Sequence, residues 1–174
     1  ANELAFAMAT EKLLGIDDDL PERAVWIRML MAEMSRMASH LLFMATNGMD
    51  LGAVSMMIYG WREREQVLRF FQEVTGLRMN HAYIRPGGVA QDVPHGAVDM
   101  IREVIDELRQ GLGELEKLLN ENPLFKGRTV GVGYLDLTGC TALGITGPVL
   151  RSTGLPHDLR KSAPYCGYET YDFE

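Results

Sequence analysis

The sequence predicts a mainly α fold: a helical bundle of four to five helices over residues 1–125, followed by a small mixed α/β appendage over residues 126–174. Three observations carry this reading. Apolar residues recur at the helical period over long stretches, most cleanly from Val98 to Leu119. Gly15, Pro21, Gly76 and Asn122-Pro123 stand where such stretches begin and end. After Lys126 the apolar runs become short and glycine frequent, as in strands, turns and loops. At 174 residues, 47% of them hydrophobic, the chain is large enough for one self-sufficient core and too apolar for disorder. Its net charge of −7 argues against nucleic acid as a partner. No uncharged apolar run reaches membrane-spanning length, and Glu3 and Glu11 with no basic region argue against a signal peptide. Ala1 opens inside a helical pattern and Glu174 follows an aromatic-rich stretch, as expected of a piece of something larger.

The first predicted helix, residues 2–14, places Leu4, Met8 and Leu13 inward and stops at Gly15. The second, about 21–48, repeats Ile27, Leu30, Met31, Met34, Met37, Ala38, Leu41, Leu42 and Ala45. At about 100° per residue its opposite face carries Glu33, Arg36, His40 and Asn47 in one row, edged by Trp26, Met29, Phe43 and Met44. That pattern predicts a helix covered nearly all round, with Glu33, Arg36 and His40 as a paired polar network. A line of small or polar residues (Ala32, Ser35, Ser39, Thr46, Asp50) suits a close helix crossing or a cavity wall, and the period alone favours the crossing. Residues 51–60 are uncharged and suit a short buried helix or a surface-docking segment. A separate amphipathic helix follows over about 61–75, with Val67, Phe70, Phe71 and Val74 inward, Glu65–Arg69–Glu73 outward and Gly76 as its cap. Residues 77–93 read as an irregular connection around Arg85-Pro86-Gly87-Gly88. Pro94 to about Asn122 is the longest clean helix. The last third, with short apolar runs such as Thr129 to Leu135 and Ala142 to Leu150, is expected to form short strands, a short helix and loops.

Two cysteines (Cys140, Cys166) and four histidines fall into no C-x-x-C, H-E-x-x-H or clustered pattern, so no metal ligands are expected. Gly127 to Gly133 lacks dinucleotide-fingerprint spacing. Eight of the 11 methionines lie from Met29 to Met57, as a core filler or as the wall of a pocket for a flexible apolar ligand.

Several runs are recognisable in order. They are Glu11-Lys12-Leu13-Leu14-Gly15, Glu33 to Leu41 (EMSRMASHL), Asp50-Leu51-Gly52-Ala53, Arg62-Glu63-Arg64-Glu65, and Thr75-Gly76-Leu77-Arg78-Met79. Tyr83 to Val89 (YIRPGGV), Gly147 to Gly154 (GPVLRSTG), Asp158-Leu159-Arg160-Lys161 and the ending PYCGYETYDF complete the set. Together they resemble the quinone-site (49-kDa-type) subunit of respiratory complex I, the NADH–quinone oxidoreductases, and the chain resembles an internal fragment of it. The resemblance implies one side of a quinone-reduction chamber, set against a small neighbouring subunit that carries the terminal iron–sulfur cluster. It implies membrane-arm and other complex I subunits as partners, quinone as substrate, and NADH as the donor used by the whole proton-pumping complex. It places the complex's quinone arm peripherally on the cytoplasmic side of the cell membrane. By itself the fragment is expected to bind no cofactor and to be inactive.

Carried over by position, Asp50 matches the carboxylate that partners a quinone-bound imidazole, and Thr46, one turn earlier, lines the same pocket. The imidazole and phenol that hold the quinone head group lie before Ala1 in the family. Arg85 belongs to a segment packed near the cluster-bearing neighbour. Just before that segment relatives read Arg-Met-His, with the histidine beside the cluster; here Asn80 takes that position and His81 follows it. His40 is more simply a structural hydrogen-bond node. The rival readings are a hydrogenase-like large subunit, which shares ancestry with the family and would carry nickel, and a helical scaffold with no substrate contact.

Overall fold

A computed structural model of the chain describes residues 2–173. The chain divides into two compact units, the cut falling after Arg128. In the first, α1 (Asn2–Leu14) leads through a 3₁₀ turn at Asp17–Asp19 into α2 (Glu22–Asp50), followed by α3 (Ser55–Thr75), a hairpin of β1 (Ile84–Arg85) and β2 (Gly88–Val89), α4 (Ala97–Asn120) and α5 (Pro123–Thr129). The second contains α6 (Leu137–Ala142), α7 (Gly147–Ser152) and α8 (Leu159–Ser162).

The mainly α class holds, with differences in detail. Residues 51–60 and 61–75 join in one helix: after a turn at Leu51-Gly52, where Gly52 has φ +102°, α3 runs unbroken from Ser55. The uncharged stretch could not reveal this, because its exposed positions are held by Val54 and Ile58 rather than by charges. The strands expected after Thr129 are replaced by short helices and turns among the described residues, since Gly131, Gly133, Gly144 and Gly147 all take positive φ and break any extended run. The described strands lie instead in the expected irregular connection, pairing Ile84 with Val89 and Arg85 with Gly88 antiparallel across Pro86-Gly87. Leu13, expected inside, is 89% exposed.

The core joins α2, α3 and α4 through Met31, Met34, Leu41, Met56, Val67, Phe70, Phe71, Val74, Ile101, Val104 and Leu115. Two glycines set the closest approaches. A Cβ at Gly60 would lie 2.7 Å from the Ala45 Cβ and 3.2 Å from the Leu41 carbonyl oxygen; one at Gly48 would lie 2.9 Å from the Met56 Cβ. The close crossing of α2 with α3 therefore uses Leu41, Ala45 and Gly48. The predicted stripe of Ala32, Ser35, Ser39, Thr46 and Asp50 lies on nearly the opposite side of α2, with Ser39 and Asp50 exposed. That side is not covered by the described residues of this chain: Phe43, beside the stripe, is 62% exposed. No described helix is long and apolar enough to cross a membrane.

Candidate functional site

Asp50 is the last residue of α2 and is exposed. Its carboxylate has no hydrogen-bond or ion-pair partner among the described residues, and it stands at the negative end of a 29-residue helix, where the backbone dipole disfavours an anion. Exposed Met49 and Val54 flank it. Thr46, half buried one turn earlier, donates its hydroxyl back to the Leu42 carbonyl at 2.9 Å. Along the same face Glu33 and Arg36 pair at 3.2 Å, while His40 is exposed and takes no part in that pair. The predicted three-membered network is thus a pair here, because nothing among the described residues covers the face and compels His40 to pair.

The hairpin is placed by charged groups that sequence patterning did not single out. Arg28 is wholly buried and makes a two-pronged ion pair with Glu11, itself 1% exposed, through Nη1–Oε2 at 3.0 Å and Nη2–Oε1 at 2.5 Å. The same guanidinium donates from Nε to the Gly88 carbonyl (2.9 Å) and from Nη2 to the Arg85 carbonyl (2.6 Å). Glu11 in turn accepts the Gly87 N–H at 2.7 Å. Burial by itself raises the Glu11 carboxyl; hydrogen bonds from Arg28 and Gly87 and the Arg28 charge overcome it and hold the group below its ordinary value. From the other end of α1, Glu3 accepts the N–H groups of Ala82, Tyr83 and Ile84 at 3.0, 3.2 and 3.4 Å. Tyr83 is buried and donates its hydroxyl to the Gln91 carbonyl at 2.5 Å. A signal was present in the sequence, since Glu11 and Arg28 are charges within otherwise apolar helical patterns, but their meeting is a long-range event that spacing does not encode.

Along this gripped segment Asn80 (φ +55°) and Ala82 (φ +44°) take left-handed backbone conformations on either side of His81. The alternation points the His81 ring inward, its centroid 4.9 Å from that of Phe71 and its Nδ1 3.8 Å from Glu3. Burial pushes the imidazole below its ordinary value, with the Glu3 carboxylate pulling the other way. Asn80 is exposed, and so is Arg85, whose Nε donates to the Ala82 carbonyl at 3.1 Å. The hairpin is anchored on Arg28, whereas Asp50 lies 22 residues further along α2, about 33 Å at 1.5 Å per residue. The structure therefore brings Thr46 and Asp50 together, and separately Asn80, His81 and Arg85, one group at each end of α2. No cluster of three or more metal-ligating side chains occurs among the described residues.

The family model for the respiratory-chain NADH dehydrogenase 49 Kd subunit matches residues 50–174. The chain belongs to that family. Its similarity to curated members extends over the remaining helices: it is 63% identical to the D subunit of the NADH-quinone oxidoreductase of Mycolicibacterium smegmatis and 62% identical to the D 2 subunit of the Streptomyces coelicolor enzyme, in each case over 99% of this chain. The D subunit from Rhodococcus jostii is 61% identical over the same share. The chain spans 39% of the length of the first two relatives and 40% of the third. As a 49-kDa-family chain, it carries the EKLLG run on α1 and the YIRPGGV run on the hairpin, and the Glu11–Arg28 clamp ties those two runs together.

Proposed function

We propose that this chain forms part of the wall of the quinone-reduction chamber of an NADH–quinone oxidoreductase, with Asp50 as a proton partner at one end of α2 and the 80–89 segment turned toward a cluster-bearing neighbour at the other. The reaction is the two-electron, two-proton reduction of a quinone to a quinol, with electrons arriving from the neighbour's iron–sulfur cluster and ultimately from NADH. The observation that carries the reading is the unpartnered Asp50 carboxylate at the C-terminal end of α2, flanked by exposed apolar side chains. An acid in that position gains nothing for the helix, and its chemistry suits the delivery of a proton to an apolar ligand. Family membership supports the substrate class, since the relatives are named quinone oxidoreductase subunits. The uncovered face of α2, with Phe43 and Thr46, is the surface on which the rest of the subunit and the quinone tail would lie. Through other complex I subunits the chain sits peripherally on the cytoplasmic side of the membrane.

Asp50→Asn in the intact complex tests this. Assembly stays normal and quinone reduction falls by about 10²–10⁴, the usual loss on removing one positioned acid–base group. Normal turnover with normal assembly would reduce Asp50 to a helix-end acid with no part in the chemistry.

A further inference from the structure

The chain buries two arginines and treats them differently. Arg28 makes four hydrogen bonds, two to a carboxylate and two to backbone carbonyls. Arg64, on α3 and only 8% exposed, has no hydrogen-bond partner among the described residues for its buried Nε and Nη1; its Nη2 reaches the Met79 sulfur at 3.6 Å, and its Cζ lies 5.0 Å over the Trp61 ring. A thioether is a weak acceptor and an indole face offers no lone pair, so most of this guanidinium's donors are unsatisfied. The charged groups that act on it are Arg78, whose like charge disfavours the cation, and Glu65, which is itself gripped by Arg78 through bonds of 2.8 and 2.5 Å. Beside it Trp61 is 37% and Met79 53% exposed, an apolar rim about a buried cation. Buried charges in proteins are paired, and a Trp–Arg centre with an apolar rim is the composition of an interface anchor.

We infer that the surface formed by Arg64, Trp61 and Met79 is the docking site for an acidic side chain carried by the part of the same full-length subunit that lies outside these 174 residues. Charge complementarity selects the carboxylate: by displacing the Met79 thioether from Nη2 it can take Nη2 together with the unsatisfied Nε or Nη1 in a fork. The source follows from when the partner must be present. An unpaired buried guanidinium would destabilise the free subunit, so the compensating charge belongs to the same polypeptide, available as it folds. The curated relatives extend well beyond this chain, which covers 39% of their length, so such a segment exists in them.

Two variants of the full-length subunit, studied alone and in the assembled complex, test this. In Arg64→Lys, a water-soluble carbodiimide activates the docked carboxyl, and the substituted amine displaces the urea by-product to form an amide that peptide mapping locates. The expected bridge runs to an Asp or Glu of the same subunit outside residues 1–174. Arg64→Met keeps the volume, removes the charge and lowers the Tm of the free subunit by about 5 °C, because the docked carboxylate loses its partner. A bridge to another subunit overturns the assigned source, and a bridge to Glu65 or another acid within these residues overturns the docking. Absence of a bridge together with an unchanged or raised Tm in Arg64→Met overturns the proposal outright.

Discussion

Replacing Glu11 by Gln probes the clamp on the hairpin while preserving shape. The wild-type carboxylate accepts from both Arg28 terminal nitrogens and from the Gly87 N–H, all in a buried setting. Glutamine retains one acceptor oxygen but turns an NH₂ toward a guanidinium that is itself buried and still charged. Removing one partner of a buried ion pair costs about 3–5 kcal/mol. The two carbonyls of Arg85 and Gly88 that Arg28 keeps place the expected loss near the lower end, about 3 kcal/mol, against a total of about 5–15 kcal/mol for a domain. The effect depends on pH in a defined direction. Because the folded Glu11 carboxyl is held below its ordinary 4.5, its ionic contribution is fully present above that value and fades as the pH falls through the lower, folded value. Urea unfolding at pH 7 should show the full deficit in the variant, and the two unfolding free energies should converge in acid. Amide exchange locates the change: Gly87 loses its acceptor and exchanges faster, while Ala82 and Tyr83, bonded to Glu3, respond less. A deficit below about 1 kcal/mol at pH 7 with unchanged Gly87 exchange would refute the clamp as the hairpin's anchor.

Three further outcomes follow from the same structure. Gly60→Ala should destabilise by about 1–3 kcal/mol despite a better helix propensity, because its Cβ would meet Ala45 at 2.7 Å, whereas Gly113→Ala, with nothing within 4 Å, should gain about 0.5–1 kcal/mol; thermal unfolding of both variants reads the contrast. In the intact complex the neighbouring cluster's potential should be nearly flat between about pH 6 and 8, because Asn80 cannot titrate and burial against Phe71 keeps His81 neutral to lower pH; a slope near 59 mV per pH unit in a redox titration would show that His81 has taken over. The purified chain alone should not oxidise NADH with a soluble quinone, and measurable turnover would contradict its reading as part of a larger chamber.

The long helices are legible because their inward residues repeat locally: Ile101, Val104, Leu108 and Leu115 announce α4, and Gly76 marks the end of α3 with φ +80°. What the pattern hides is decided at long range. Ile58 and Trp61 are exposed apolar residues, so the start of α3 looks like a buried segment of its own. The polar row on α2 suggests a covered helix, yet the described residues supply no cover, and Trp26 and Phe43 remain exposed. Apolar residues between Thr129 and Leu150 suggest strands, but the glycines among them take positive φ angles and form turns instead. As for the candidate site, Asp50 and Thr46 stand where the sequence places them, at the end of a helix. The hairpin that presents Asn80 and Arg85 cannot be read, since it is held by Glu3, Glu11 and Arg28 from residues more than fifty positions away.

That manner of holding has an evolutionary consequence. Glu3, Glu11 and Arg28 take hold of N–H and carbonyl groups, which every substitution other than proline leaves in place. The side chain of Asn80 carries none of that grip, so its identity can change among residues that accept a left-handed backbone while the loop keeps its course. Asparagine at position 80, where the resemblance leads one to expect histidine, is a difference that such an arrangement tolerates: what faces the neighbour can change without renegotiating the fold beneath it.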